Sequence, residues 1–295
     1  MKHSICIYLL LLLGMSNTIK AQDFKTFIYY SDDSLQLELD FFSPVQQNGE
    51  KKPLVIFVHG GGFSAGNRTA GYALSEYLAE RGIAAATISY TLYMKGKDFG
   101  CNGILSEKVK AIQIASNQLW LATHFFNKNQ EKFQIDTTKI FIAGSSAGAE
   151  TVLHAAFWNQ ETMRIYPQKL SNSFRYAGLI SGAGAIMDLN LIQPNNLIPV
   201  MMFHGDADPV VPYETAAHHY CPPNSPGWFM LFGSKSIYNY IVKLNGTVEL
   251  ISYKAGSHKI AGAHFFQEQQ PVFNFIQAVI NREHAQIQVI KQNPK

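Results

Sequence analysis

The chain has 295 residues, a length that suits one large domain or two smaller ones. Charged residues make up 15% of it and hydrophobic residues 47%, the reverse of the balance in disordered chains, so we expect a packed core. The formal charge of +3 is too small to draw the chain onto nucleic acid by charge alone. Composition therefore argues against a disordered chain, a collagen, a cysteine-rich miniprotein and a basic nucleic-acid binder.

Residues 1–21 have the features of a secretory signal peptide. Lys2 and His3 precede nine consecutive apolar residues, Ile5 to Leu13, and a polar stretch follows them. A transmembrane helix needs about 20 apolar residues, whereas a basic start and a short apolar run are typical of an export signal. We expect cleavage after Ala21, with 14–16 as a second candidate position, and a secreted or periplasmic protein without a stable membrane anchor. A buried N-terminal strand is the alternative.

Two cysteines remain after the expected cleavage, Cys101 and Cys221. The compartment of an exported protein permits disulfides. Sequence spacing does not give the distance between the two sulfurs, so a bridge and a pair of buried thiols are both open.

Residues 22–295 form a single domain by this interpretation, since no repeat or linker divides them. In chain order, apolar patterning predicts strands at 35–42 and 54–58, a helix over 72–81, a strand at 84–90, and a helix from about 105 to 119 with Ser106 near its cap. Further strands are predicted at 140–143, 176–180, 198–203 and 248–253, and a last helix over about 272–283. Alternating strands and helices predict an α/β fold with a mostly parallel central sheet flanked by helices on both faces. Active sites in such sheets lie at the carboxyl ends of the strands.

The predicted strand at 140–143 leads into Gly144-Ser145-Ser146-Ala147-Gly148, which matches G-x-S-x-G. This pattern holds a serine on a sharp turn from strand to helix, and small neighbours let the backbone pass. The N-terminus of the helix that begins at Ala147 would direct positive charge towards the Ser146 hydroxyl. Ser146 is therefore the candidate nucleophile, with an ordinary tight turn as the alternative.

The predicted strand at 54–58 leads into His59-Gly60-Gly61-Gly62-Phe63. Three glycines suggest close approach of the backbone to a ligand, and their N–H groups could converge on an oxyanion. A phosphate cradle is the competing use, but neither phosphate-binding glycine pattern occurs here.

A serine nucleophile needs a base, and the base needs an orienting acid. The strand at 198–203 leads into a loop with two candidate acids, Asp206 and Asp208. His258 follows the strand at 248–253, and His264, six residues further on, is its rival as the base. We favour His258 because it lies just beyond the strand end. With either acid the chain order is Ser, Asp, His, the order of the α/β-hydrolases.

These motifs resemble those of α/β-hydrolases of the esterase/lipase superfamily. The sequence is most similar to the branch with an H-G-G-G-F loop and a G-x-S-A-G elbow, that of the hormone-sensitive-lipase-like and related carboxylesterases, from about Leu54 through the last helix. The resemblance implies that Asp208, the acid of H-G-x-x-D-x-x-V-P, completes the triad. It also implies that the oxyanion hole consists of the N–H groups of Gly61, Gly62 and Ala147, with Phe63 as a substitute for one of them.

The sequence departs from that branch at three places. Many relatives have Tyr-Arg where this chain has Tyr90-Thr91. The segment before Leu54 reads as strands, so we expect the N-terminal helical cap of many relatives to be missing. An insertion at about 214–236 carries His218, His219 and several prolines. It either covers the site or forms a surface loop.

The resemblance predicts a secreted or periplasmic serine hydrolase that cleaves a small-molecule carboxylic ester through an acyl-enzyme intermediate. This chemistry requires no metal or organic cofactor, and the adjacent His218 and His219 would point in different directions, which disfavours a metal site. A serine peptidase, a lipase and a non-catalytic binding protein of the same fold are the alternatives.

Overall fold

The computed structural model describes residues 24–45 and 49–292, so the predicted signal peptide at residues 1–21 lies outside the described part. The strands are, in chain order, β1 (Phe24–Ser31), β2 (Gln36–Phe42), β3 (Lys52–Val58), β4 (Ala84–Ile88), β5 (Ile135–Ser145), β6 (Gly178–Gly182), β7 (Ala185–Ile186), β8 (Val200–Gly205), β9 (Thr215–Ala217), β10 (Met230–Gly233), β11 (Val248–Lys254) and β12 (Gln286–Gln292). The helices are α1 (Tyr72–Ala79), α2 (Leu105–Lys128), α3 (Gln130–Phe133), α4 (Ala147–Phe157), α5 (Gln160–Met163), α6 (Ser234–Lys243) and α7 (Gln270–Ile280).

The central sheet has nine strands in the order β1-β2-β4-β3-β5-β6-β8-β11-β12. The strands from β4 to β12 in this order are parallel, whereas β2 is antiparallel to both β1 and β4. Crossover helices connect the parallel strands, as the alternating pattern predicts. The predicted α/β fold with a mostly parallel sheet is confirmed. The segment before β3 forms strands in its described residues, also as predicted.

Helices cover both faces of the sheet, and β3 shows how its apolar run is shared between them. Leu54, Ile56 and Val58 pack in the core on the side of α2, α4 and α6. Val55 and Phe57 pack in the core on the side of α1 and α7. Successive side chains of a strand point to opposite faces, so an uninterrupted apolar run is what a central strand with two covered faces requires.

Several elements differ from their predicted positions, among them the start of α2 and a strand at the sheet edge. The predicted cap at Ser106 is wrong, because α2 begins at Leu105 and the capping position is held by Ile104 in extended conformation, without a side-chain hydrogen bond. The strand β12 has no predicted counterpart. It lies at the sheet edge with half-exposed apolar side chains such as Ile287 and Val289, so it lacks the buried pattern by which strands are recognised.

The predicted insertion contributes to a second, three-stranded sheet in the order β7-β10-β9. Cys221 follows β9 and forms a disulfide with Cys101 in the loop before α2, so the bridge that the sequence left open is present. Lys108 of α2 adds a hydrogen bond from its Nζ to the carbonyl oxygen of Gly227 at 2.6 Å. The insertion is therefore fastened to the body of the domain. Among the described helices, none is long and apolar enough to cross a membrane.

Candidate active site

Ser146 lies on a sharp turn between β5, which ends at Ser145, and α4, which begins at Ala147. Its φ of 54° and ψ of −121° are rare for a residue with a side chain, and its N–H donates to the carbonyl oxygen of Gly182 at 2.8 Å. The turn also requires glycine at 148, where a Cβ atom would lie 2.0 Å from the carbonyl oxygen of Val58. The backbone thus holds Ser146 in a strained conformation of the kind found at functional sites.

Ser146, His258 and Asp208 form a chain of hydrogen bonds at the carboxyl edge of the sheet. The Oγ of Ser146 lies 2.8 Å from Nε2 of His258, and Nδ1 of His258 lies 2.7 Å from Oδ2 of Asp208. An ionised carboxylate only accepts hydrogen bonds, so we assign the proton to Nδ1, which leaves Nε2 to accept from the hydroxyl. The three residues follow β5, β11 and β8, whose ends meet at this edge.

Asp208 is buried and receives four hydrogen bonds. Its Oδ1 accepts from the N–H groups of Val210 and Val211 at 2.8 and 3.1 Å. Its Oδ2 accepts from His258 and, at 3.2 Å, from Nε2 of His204. Burial by itself would raise the pKa of Asp208, but the bonds from His204 and His258 outweigh burial and hold that pKa well below its usual value. The carboxylate therefore stays ionised beside the imidazole.

The rival residues lie elsewhere. Asp206 is exposed, and its Oδ1 accepts a hydrogen bond from the N–H of Ala255 at 2.6 Å. His264 is buried away from Ser146: its Nε2 lies 3.0 Å from the hydroxyl of Tyr253, and its Nδ1 lies 2.9 Å from the carbonyl oxygen of Glu268. Both residues instead make hydrogen bonds at the end of β11. Neither of them belongs to the chain of hydrogen bonds that begins at Ser146.

The glycine loop after β3 and the first turn of α4 face the candidate nucleophile from two sides. Gly61, Gly62 and Ala147 all line the same cleft as Ser146. Within residues 24–45 and 49–292, their three N–H groups donate to no protein acceptor. Gly61 has φ +110°, and a Cβ atom there would lie 2.2 Å from the carbonyl oxygen of Ala65. The side chain of Phe63 is fully buried and does not line the cleft, and the role of its N–H as a substitute donor stays a prediction.

His59 and Tyr90 support the base of the glycine loop. Their rings stack with centroids 4.4 Å apart, and the Tyr90 hydroxyl donates to the carbonyl oxygen of His59 at 3.0 Å. The departure at Thr91 has a structural counterpart: the Thr91 backbone N–H and its hydroxyl each bond the side-chain amide of Gln118 at 2.7 Å. The side-chain amide of Gln118 thereby fixes this segment to α2 at the position where many relatives have an arginine.

The cleft at Ser146 has a volume of about 640 Å³. Its walls include side chains that sequence analysis did not single out, among them Phe99, Glu150, Lys259 and Phe266. Of these, Glu150 could have been found, because it lies four residues after Ser146 and residues four apart share a helix face. The other three lie in the segments between β4 and α2 and between β11 and α7, whose paths are set by the tertiary fold.

His218 and His219 place the insertion on the wall of the cleft. Their rings meet edge to face with centroids 4.4 Å apart, and burial lowers the pKa of both. The insertion therefore forms part of the cleft wall, and that it covers the site stays a prediction. Among the described residues, no cluster of three or more His, Cys, Asp or Glu side chains is arranged to hold a metal ion.

Comparison with known proteins agrees with this architecture. The BD-FAE family profile matches residues 39–196, more than half of the chain. Juvenile hormone esterase of Tribolium castaneum is 28% identical over 59% of this chain and 28% of its own length. The probable isoprenylcysteine alpha-carbonyl methylesterase ICMEL2 of Arabidopsis thaliana is 25% identical over 60% of this chain and 48% of its own length. The chain thus spans less than half of either relative.

Solved structures extend the likeness to almost the whole fold. The apo form of Thermogutta terrifontis esterase 2 superposes with a TM-score of 0.64 and 15% identity, over 89% of this chain and 96% of that one. The propionate-bound form of the same esterase gives a TM-score of 0.63 at 16% identity. The resemblance drawn from the sequence motifs is confirmed: the chain belongs to the BD-FAE family and has the α/β-hydrolase fold.

Proposed function

We propose that the protein hydrolyses carboxylic esters through an acyl-enzyme intermediate on Ser146. The observation that carries the proposal is the hydrogen-bond chain from the Ser146 hydroxyl through His258 to Asp208, at 2.8 and 2.7 Å. Similarity to other proteins supports the same reaction class, because the relatives cited above are named as esterases. The protein's substrates are not implied by these names, since the chain spans only part of each relative.

In the first half of the proposed reaction, the Oγ of Ser146 attacks the ester carbonyl carbon while Nε2 of His258 takes its proton. The carbonyl oxygen becomes an oxyanion. The N–H groups of Gly61, Gly62 and Ala147 are proposed to bind it, each donor lowering the barrier by roughly 3 kcal/mol. His258 then gives the proton to the leaving alcohol, and the acyl group stays on Ser146.

In the second half, water enters the place of the alcohol and His258 removes a proton from it as it attacks the acyl carbon. The tetrahedral intermediate collapses, Ser146 recovers its proton from His258, and the acid leaves. Asp208 holds the imidazole with Nε2 facing the serine and stabilises the imidazolium in both halves. No step transfers a proton to Asp208, in agreement with the lowering of its pKa by hydrogen bonds from two imidazoles.

Export of the protein remains part of the proposal. The signal peptide predicted at residues 1–21 motivates it, and the Cys101–Cys221 disulfide supports it, because disulfides persist in oxidising compartments. N-terminal sequencing of protein recovered from outside the cytoplasm tests this directly. A chain that begins at Gln22 is expected, whereas a chain found only in the cytoplasm, with residues 1–21 intact, would contradict export.

The enzymatic proposal is tested with p-nitrophenyl esters of graded acyl length, assayed beside a peptide p-nitroanilide, on the wild type and on Ser146→Ala. We expect the wild type to hydrolyse the esters in preference to the anilide, and Ser146→Ala to hydrolyse neither. Retained ester hydrolysis in Ser146→Ala would overturn the nucleophile assignment. Preference for the anilide would show that the same triad acts as a peptidase, and turnover of none of these compounds would favour the non-catalytic alternative.

A further inference from the structure

Glu150 has an unusual position for a carboxyl group. It lies on α4, one turn beyond Ser146, and only 1% of its surface is exposed. It nevertheless lines the cleft. Neither of its carboxyl oxygens has a hydrogen-bond partner among the described residues. The proposed ester hydrolysis does not use this side chain.

His218 lies beside Glu150 in the wall of the cleft. It belongs to the insertion, is 2% exposed and lines the same cleft. Its Nε2 lies 3.4 Å from Oε1 of Glu150, a contact outside hydrogen-bond geometry. Its Nδ1 has no hydrogen-bond partner in the described part of the chain. Packing fixes the ring, since it lies edge to face with Phe99 at 5.2 Å and the disulfide follows three residues later at Cys221.

Unpartnered polar atoms are therefore found on two neighbouring residues that both line the cleft. Nine buried side-chain polar atoms lack a partner in the described residues, and three of them belong to Glu150 and His218. Folded proteins leave few buried polar groups unsatisfied, and each exception requires a physical reason. A reason is available here, because the two side chains border an open cleft in which a bound molecule could supply the missing hydrogen bonds.

The charges of Glu150 and His218 determine which kind of functional group the two side chains can bind. Burial raises the pKa of Glu150 to about 8, opposed by the nearby Lys108 ammonium and reinforced by Asp208. Burial also lowers the pKa of His218, and the cationic forms of His219 and Lys108 lower it further. At neutral pH the pair is thus mainly a protonated carboxyl and a neutral imidazole. Together they offer both donors and acceptors without net charge, which suits a hydroxyl group better than an anion or an ammonium group.

We infer that Glu150 and His218 form a recognition site for a hydroxyl group of the ester substrate, in the same cleft as the proposed nucleophile. The inference rests on the proposed function and adds a substrate class to it: uncharged esters that carry a hydroxyl some distance from the scissile carbonyl. The distance follows from the helix, because four residues of α4 correspond to about 6 Å along its axis. The hydroxyl therefore lies several bonds from the reacting carbon, in either the acyl or the alcohol part.

Two pairs of esters of matched size test this inference and distinguish the two parts. The acyl pair is methyl 6-hydroxyhexanoate and methyl heptanoate, and the alcohol pair is 4-hydroxybutyl acetate and pentyl acetate. Acid release is followed by titration at constant pH. In one of the two pairs we expect kcat/KM to favour the hydroxylated member at least ~10-fold, because a site built to bond a hydroxyl rejects the analogue that lacks it.

Substitutions at Glu150 then test whether this side chain causes the preference for the hydroxylated ester. Glu150→Leu is expected to reduce the ratio of the two kcat/KM values to about 1, whereas Glu150→Gln, which keeps a donor and an acceptor, retains most of it. Thr151→Val is the control, since Thr151 is buried on the same helix and bonds the Ala147 carbonyl oxygen instead of lining the cleft. A purely structural role of Glu150 would change the rates of both members of a pair alike.

The outcomes separate the inference from the proposed function. Hydrolysis of both members of each pair with equal kcat/KM in the wild type would overturn the inference and leave the esterase proposal in place. A preference that persists in Glu150→Leu would also overturn it. Hydrolysis of none of the four esters, together with inactivity on the p-nitrophenyl esters, would overturn both. If Glu150→Leu does not fold, the wild-type ratios and the His218→Phe variant decide the question in the same way.

Discussion

His204 and Asp208 lie four residues apart, and Nε2 of His204 donates to both Oδ2 of Asp208 at 3.2 Å and the carbonyl oxygen of Val211 at 3.1 Å. The same Oδ2 accepts from His258 at 2.7 Å. The Nδ1 of His204 lies 2.9 Å from the Ser234 hydroxyl at the start of α6. The buried imidazole of His204 thus positions the carboxylate of Asp208, which in turn orients the imidazole of His258. His204 touches neither Ser146 nor the expected position of substrate, so its proposed role is to position Asp208.

We expect His204→Leu to lower kcat roughly 10- to 100-fold, because it removes a hydrogen bond to a buried carboxylate, with KM changed by less than about twofold. His204→Gln, which can place an amide N–H near the position of Nε2, is expected to retain more of the activity. Steady-state kinetics on a p-nitrophenyl ester measures both variants. Equal activity of His204→Leu and the wild type would contradict the positioning role.

The two aspartates of the loop after β8 provide a matched comparison. Asp208→Asn is expected to reduce kcat by roughly 10⁴, because an amide no longer holds the required tautomer of His258. Asp206→Asn is expected to leave kcat nearly unchanged, since its Oδ1 still accepts the hydrogen bond from the Ala255 N–H. Comparable losses in the two variants would contradict the assignment of Asp208 as the triad acid.

The Cys101–Cys221 bridge closes a sequence separation of 120 residues. Its removal in the Cys101→Ala/Cys221→Ala double variant is expected to lower the free energy of unfolding by about 2–5 kcal/mol, because the unfolded chain gains freedom. Urea denaturation measures the change, and the double variant should not respond to added reductant. A double variant as stable as the oxidised wild type would show that the bridge contributes nothing to stability.

Ionisation of Glu150 makes stability depend on pH. In the unfolded chain this carboxyl ionises near its ordinary pKa of 4.5, whereas burial in the folded protein raises the pKa to about 8. Between these values the folded state binds the proton and the unfolded state does not, so stability falls as pH rises from about 4.5 to about 8 and then levels off. The slope approaches 1.4 kcal/mol per pH unit within this window.

Glu150→Gln removes that titration. Measured from pH 5 to pH 8, its free energy of unfolding should rise steadily relative to that of the wild type. Glu161→Gln is the control: Glu161 is exposed on α5, and hydrogen bonding to Lys169 lowers its pKa, so no change in the difference is expected above pH 5. A constant difference between Glu150→Gln and the wild type over this range would contradict the raised pKa.

Much of the fold follows from local sequence, because uninterrupted apolar runs such as 54–58 specify strands with both faces covered. The strand β12 does not, since an edge strand with half-exposed side chains carries no such signal. The residues around Ser146 could be recognised in the sequence because the sharp turn that they form tolerates only small neighbours. Sequence predicted the family's fold through these motifs, and the fold determines which strand ends meet.

Other parts of the candidate site depend on distances that sequence does not contain. Cys101 and Cys221 meet because the insertion folds back onto the loop before α2. His258 and His264 both follow β11, and only the short turn at His258–Gly262 decides which of them faces Ser146. Glu150 carries a helical spacing signal, but its burial and lack of partners emerge only when the insertion packs over α4.

His258 is proposed to activate Ser146 as a nucleophile. Labelling with a fluorophosphonate, followed by mass spectrometry of the peptides, tests it most directly, because the reagent reacts with an activated serine and stays bound to it. We expect label on Ser146 in the wild type, almost none in His258→Ala, and undiminished label in Lys254→Ala, since Lys254 is exposed at the end of β11 and does not line the cleft. Label on Ser145 or another residue, or equal labelling of Ser146 in His258→Ala, would contradict it.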